Sequence, residues 1–274
     1  MAALILWLSL TRFSRTSVSY LCKAAVKVIL APLYFLYKCW IGLVFWLTLL
    51  ALYPRFRYLL AKPERYPRAF ALKKTWSRML SGLMGCPVKT DFRAALPAGP
   101  YVICANHSSY IDTFFFYQVF TDYFLFMGKG ELLKWPLFGL FFRTQDIPVH
   151  RGNYRKAYGA LARAGRALQR GEPVAIYPEG TIPRDNPRMA RFKNGAFKIA
   201  IDAQVPIVPV TWQTNWRILR DPQRFFEPAS PQASKVVVHP PISTAGKTEA
   251  DLLALREEVF AVIDSALPQE FQRS

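Results

Sequence analysis

From residue 28 to residue 54 the chain reads VILAPLYFLYKCWIGLVFWLTLLALYP, an apolar run in which Lys38 is the one charge. As a single helix it would reach roughly 40 Å, more than the ~30 Å of a bilayer's hydrocarbon core. Pro32 and Lys38 interrupt the run, and the uncharged stretch from Cys39 to Pro54 is 16 residues, short of a span. The pattern predicts two short helices forming a hairpin that leaves by the face it entered. A single span and a soluble buried hairpin are the alternatives. The opening MAALILWLSL has no basic residue before its apolar block and no clear small-residue cleavage site after it. It reads as a retained helix lying in the interface, with Trp7 near the headgroups.

Beyond residue 90 the period changes, and short apolar runs alternate with helical patterns. That alternation predicts an α/β fold, a mixed central sheet flanked by helices, preceded by the N-terminal membrane-anchoring hairpin. Strands are expected at 101–105, 124–127, 174–177, 205–210 and 235–239, and helices at 111–120, 154–168, 190–203 and 249–263. Asn153 is placed to cap the second helix and Gly171 to stop it. Residues 131–142 read as a helix or a half-buried loop, because Pro136 and Gly139 break their rhythm. The prolines of VPIVPV favour strand ends or a sheet edge. The Pro-, Gln- and Ser-rich stretch 221–234 reads as a loop. The expected division is a helical membrane-associated region over 1–74 and an α/β domain over 75–274.

Composition sharpens the anchoring. Hydrophobic residues make up 52% of the chain and aromatics 15%, yet the net charge is +18. Residues 1–90 hold 14 Lys or Arg against one acid, Glu64, giving +13 and leaving +5 for the remaining 184 residues. Nucleic acid and anionic lipid both attract such a field. The cations frame the apolar run, so anionic membrane lipids are the expected partner and nucleic acid is not. Cations on both sides of the run give no clear crossing direction, which fits a hairpin with both its ends on the cytoplasmic face. Cys22, Cys39, Cys86 and Cys104 are too irregularly spaced for a disulfide framework or a zinc cluster and read as reduced thiols.

Three histidines are present, His107, His150 and His239. His107 lies in ANHSSYID, directly after an expected strand and five residues before Asp112. A loop turning into a helix over that distance brings the carboxylate beside the imidazole, where it fixes the tautomer and stabilises the imidazolium. Taken as a fragment, a strand-end histidine and a helix-capping aspartate explain the same residues. A metal site would need a third ligand that no cluster offers, there is no G-x-S-x-G elbow, and Ser108 and Ser109 read as turn residues. The GKG at 128–130 reads as a turn. In AIYPEGTIPR, a strand ends in Glu179, Gly180 and Thr181 and is followed by Arg184. The guanidinium suits a phosphate, and the carboxylate suits either the arginine or an acceptor hydroxyl. Arg151 and Lys193 are further cations for the same cleft, or surface charges.

These blocks resemble the glycerolipid acyltransferases, which include the 1-acyl-glycerol-3-phosphate acyltransferases. Asn106, His107 and Asp112 match the family's N-H-x(4)-D block, and YPEGT at 177–181 is similar to its F-P-E-G-T block. IPVHRG resembles the second block, with Arg151 at its arginine, and VPIVPV the fourth, with Pro209 at its proline. The resemblance implies transfer of a fatty acyl group from a thioester donor, acyl-CoA or acyl-carrier protein, to the hydroxyl of a lysophospholipid. The leading acceptor is 1-acyl-glycerol-3-phosphate, giving phosphatidate. His107 would be the general base and Asp112 its partner, with Arg151, Glu179, Gly180, Thr181 and Arg184 binding the acceptor. Neither cofactor nor metal is implied, and the implied location is the cytoplasmic face of a membrane, the bacterial inner membrane. The family often has Arg after E-G-T, where this chain has Ile182. That departure keeps an amino-acid lipid or another lysolipid open as acceptor. A noncatalytic membrane lipid-binding protein is the reading outside enzymes.

Overall fold

The computed structural model describes residues 15–150, 154–220 and 226–273. Its first element, α1 (Arg15–Leu60), is one continuous helix running through Pro32, Lys38 and Pro54. The break expected inside 28–54 is therefore absent. The chain reverses later, over 61–65, and α2 (Tyr66–Leu83) packs back against α1. A helix-interior proline removes one N–H donor and crowds the preceding turn. Bonds to α2 and its C-terminal end secure the segment after Pro32. Tyr37 donates to the Met84 carbonyl at 2.9 Å, Trp40 to the Leu83 carbonyl at 2.9 Å, and Trp76 to the Thr48 hydroxyl at 2.8 Å.

The helix is apolar on two faces. Ile41, Val44, Leu49 and Phe56 are buried. Leu33, Leu36, Trp40, Leu43, Leu47 and Leu50 recur at alternating spacings of three and four on the outside, each at least 45% exposed. Among the described residues, Ile29–Leu60 is the one helical stretch long and apolar enough to cross a membrane. An outward stripe of this size has no aqueous reason to exist and is consistent with membrane association. The expected interfacial helix at Trp7 lies outside the described residues.

The sheet has seven strands in the order β1-β7-β6-β2-β5-β3-β4: β1 (Val88–Phe92), β2 (Val102–Ala105), β3 (Leu125–Lys129), β4 (Ile147–Val149), β5 (Val174–Ile176), β6 (Ile207–Trp212) and β7 (Ser234–Val238). All neighbours are parallel except β6 and β7. The edge strands β1 and β4 are not legible in the sequence, one being half polar and the other three residues long. β6 corrects the proline argument, since it lies inside the sheet with Pro209 opposite Cys104. The Pro209 carbonyl accepts from His239 N, so this residue's backbone faces β7, one position outside the ladder that begins at Val210. The missing donor thus falls where pairing has ended.

Side chains alternate across the sheet. Ile103, Ala105, Phe126, Val208 and Val210 face a core shared with α1, α2, α3 (Asp112–Val119) and α4 (Gly139–Thr144). Val102, Cys104, Leu125, Val174 and Ile207 face the other core, shared with α5 (Tyr154–Gln169), α6 (Gly195–Ala203) and α8 (Leu252–Asp264). A short helix, α7 (Asn215–Ile218), follows β6. The 131–142 stretch is a short 3-10 turn over Gly130–Lys134 and then α4. Because β6, β2 and β5 are adjacent and parallel, the loops leaving their carboxyl ends emerge side by side, where ligands gather in open α/β sheets.

Candidate active site

The loop after β2 is pinned at its first residue. Asn106 donates to the Trp212 carbonyl at 3.0 Å and accepts from Trp212 N at 2.7 Å, so its amide extends the β2–β6 pairing by one position. Asp112, fully buried, opens α3, where the helix dipole favours negative charge. Its Oδ2 accepts from Ser108 N at 2.7 Å and Ser109 N at 2.8 Å, and its Oδ1 accepts from Asn215 Nδ2 at 2.8 Å. His107 Nδ1 lies 3.1 Å from Oδ2. An acceptor there assigns the proton to Nδ1 and leaves Nε2 as the basic nitrogen. The ring stacks on Tyr177 with centroids 4.0 Å apart and planes 11° apart, which fixes its orientation.

The loop after β5 carries the second carboxylate. Glu179 is buried, its Oε1 accepting from His107 N at 2.8 Å and its Oε2 from Ala190 N at 2.7 Å. Burial raises its carboxyl to about 8, against the pull of the two N–H donors and with a smaller push from Asp112. Gly180 follows with φ of +73°, a backbone conformation that favours glycine, and a Cβ there would meet Lys193 Nζ at 2.8 Å and push that side chain aside.

A cavity of about 770 Å³ opens beside these loops. His107, Thr181, Arg184 and Arg220 contribute polar groups to its wall, and Ile41, Phe45, Trp46 and Phe138 contribute apolar ones. The apolar helix α1 is thus also a wall of the site. The arrangement suits a substrate with a polar reacting end and an apolar chain, with a base beside it.

Of the residues expected from sequence, His107 and Asp112 are in contact, Gly180, Thr181 and Arg184 line the cavity, and Glu179 stands behind His107. Arg151 lies outside the described residues. His150 packs against Gly130 instead, where an added Cβ would meet its ring at 2.7 Å. His239 shares a 2.9 Å hydrogen bond with Thr211, and burial, with Arg93 nearby, lowers its imidazole to about 4.

Residues 88–213 match the family model described as Acyltransferase. Over this segment the chain is similar to acyltransferases. Over 165 residues it is 33% identical to 1-acyl-sn-glycerol-3-phosphate acyltransferase alpha of Mus musculus, covering 60% of this chain and 57% of that protein. Over 167 residues it is 34% identical to the beta enzyme of Homo sapiens, covering 60% and 59%. The chain therefore spans under two thirds of the length of these relatives. The crystal structure of the 1-acyl-sn-glycerophosphate (LPA) acyltransferase PlsC from Thermotoga maritima superposes with a TM-score of 0.62 over 86% of this chain and 94% of that one. At 20% identity that likeness is one of fold.

The site also contains residues that sequence reasoning did not single out. Asn215 donates to Asp112, Tyr177 stacks on His107, and Asn186 donates to the Ser108 carbonyl at 2.7 Å while accepting from Arg220 Nε at 2.6 Å. Tyr177 was within reach, as the first residue of the YPEGT block. Nothing local marks Asn186, Asn215 or Arg220; the first two meet Ser108 and Asp112 only through the fold, and Arg220 joins them through Asn186.

Proposed function

We propose that this protein transfers a fatty acyl group from a thioester donor to the hydroxyl of a lysophospholipid, with 1-acyl-glycerol-3-phosphate as the leading acceptor and phosphatidate as its product. The observation that carries the reading is the His107–Asp112 pair beside a cavity with both polar and apolar walls. The matches to 1-acyl-sn-glycerol-3-phosphate acyltransferases support the same substrate class.

In this reaction His107 Nε2 takes the hydroxyl proton as the acceptor oxygen bonds to the thioester carbonyl carbon. Asp112 stabilises the resulting imidazolium. The tetrahedral oxyanion collapses, the carbon–sulfur bond breaks, and the proton on His107 is available to the departing thiolate. Atoms and charge balance with no group beyond donor and acceptor. Glu179 holds the His107 backbone, while Gly180, Thr181, Arg184 and Arg151 complete the acceptor site. The donor is acyl-CoA or acyl-carrier protein. Residues 1–74 anchor the enzyme to anionic lipid at the cytoplasmic face of a bacterial inner membrane, and residues 75–274 carry out the chemistry.

The test is to incubate detergent-purified protein with lysophosphatidate, other lysolipids and an amino-acid lipid, each with both donor types, and to identify products by mass. Wild type should form phosphatidate, and His107→Ala should lower turnover by about 10²-fold or more while keeping the fold. A folded His107→Ala protein with near-normal turnover would remove the base, and lipid binding without any product would favour the noncatalytic reading.

A further inference from the structure

The charged side chains described along the cavity are Lys38, Lys129, Glu131, Arg184, Arg220 and Glu227. Arg220 differs from the others in being braced to the loop that carries the base. Its Nε donates to Asn186 Oδ1 at 2.6 Å, and its Nη2 lies 3.4 Å from the Arg184 carbonyl. Asn186, 3% exposed, spends its own Nδ2 on the carbonyl of Ser108, the neighbour of His107. Both acceptors are neutral, so these bonds orient the guanidinium without neutralising it. A planar fork held this way presents its remaining N–H groups for two-point contact with an anion.

We propose that Arg220 is a specificity-determining residue that receives the acceptor's phosphate monoester, and that Asn186 is the positioning residue that sets the fork's distance from His107. The proposal rests on the acyl-transfer reading and deepens it. An acceptor must offer one hydroxyl to Nε2, and a headgroup clamp helps only if its place relative to that nitrogen is fixed. The path Arg220–Asn186–Ser108 supplies that constraint through one side chain. Ile182, on the cavity wall directly after Thr181, supplies no charge, and Arg184 and Arg220 are the guanidinium groups described along the cavity.

The experiment uses the full chain in mixed micelles at fixed detergent and lipid fraction, with lysophosphatidate and its dephosphorylated counterpart, monoacylglycerol, as alternative acceptors. Arg220→Ala should raise the lysophosphatidate KM roughly 10- to 100-fold, with a smaller change in kcat, and erode the preference for the phosphorylated acceptor. Arg220→Lys should restore part of the loss. Asn186→Ala should shift the same preference less, and the double variant should be no worse than Arg220→Ala, as expected when one residue acts through the other. An Arg220→Ala protein with unchanged acceptor preference, or with kcat lowered equally for both acceptors, overturns the proposal. Equilibrium binding of lysophosphatidate separates the two levels. Wild type that turns over neither acceptor defeats the acyl-transfer reading. Lysophosphatidate bound equally by wild type and by folded Arg220→Ala or Arg220→Lys defeats the role of Arg220 by itself.

Discussion

Asp112 and Glu179 are buried carboxylates on neighbouring loops of one sheet edge, and each accepts two backbone N–H groups. There the likeness ends. Asp112 also receives Asn215 Nδ2 and faces the His107 ring, at the first turn of a helix. Glu179 has no side-chain donor among the described residues, and burial raises it to about 8. One site is equipped to hold a negative charge opposite a developing imidazolium. The other ties the backbone of the β2 loop to the segment around Ala190 whether or not it is ionised. Burial alone does not reveal a carboxylate's role; the number and kind of its donors do. In the proposed reaction Glu179 therefore acts through His107, since both its oxygens are occupied by backbone.

The largest expected effect that tests this contrast is at Asp112. Asp112→Asn removes the charge and sets an NH₂ group or a weaker acceptor against three donors. Turnover should fall roughly 10²- to 10⁴-fold with the protein still folded. Retention of more than a tenth of wild-type turnover would mean that the charge opposite His107 is dispensable. Next in size is Glu179→Gln. A protonated carboxyl still offers two oxygens, but an amide offers one, so either His107 N or Ala190 N faces an NH₂ group. Stability should drop by about 1–3 kcal/mol and turnover by about 10-fold, the latter through displacement of His107. Equal losses of turnover in Asp112→Asn and Glu179→Gln would erase the distinction between charge holder and strut.

The dyad and the sheet that presents it were legible because their signals are local. The short apolar runs at 101–105 and 174–177 lead into N-H-x(4)-D and P-E-G-T, so strand, loop and chemistry follow one another in the chain. The helix starting at Asp112 was legible for the same reason. What stayed hidden depends on distance in sequence. Asn215 meets Asp112 across 103 residues, Asn186 meets Ser108 across 78, and Arg220 meets Asn186 across 34. The continuity of α1 through Pro32 was illegible because the bonds from Tyr37 and Trp40 to the end of α2 come from 47 and 43 residues away. Local rules correctly priced the proline and lacked the tertiary contacts that offset it.

The smallest expected effect is a pH dependence, and it separates the two carboxylates without an activity assay. The Glu179 carboxyl rises from an ordinary 4.5 to about 8 on folding. Between those values the native protein holds a proton that the unfolded chain has released, so stability must fall as pH rises. The stabilisation is fully present below the unfolded value and is lost as pH climbs through about 8. Glu179→Gln cannot titrate, so the other ionisable groups, common to both proteins, largely cancel in the comparison. The gap in Tm between wild type and Glu179→Gln, followed from about pH 5 to about pH 9 at constant salt and detergent, should therefore be widest at the acid end and shrink toward the alkaline end. A gap that stayed level would mean Glu179 is ionised in the native protein throughout, as a charge holder would be. In that case its two N–H donors offset its burial, and Glu179 would join Asp112 as a second fixed negative charge behind His107.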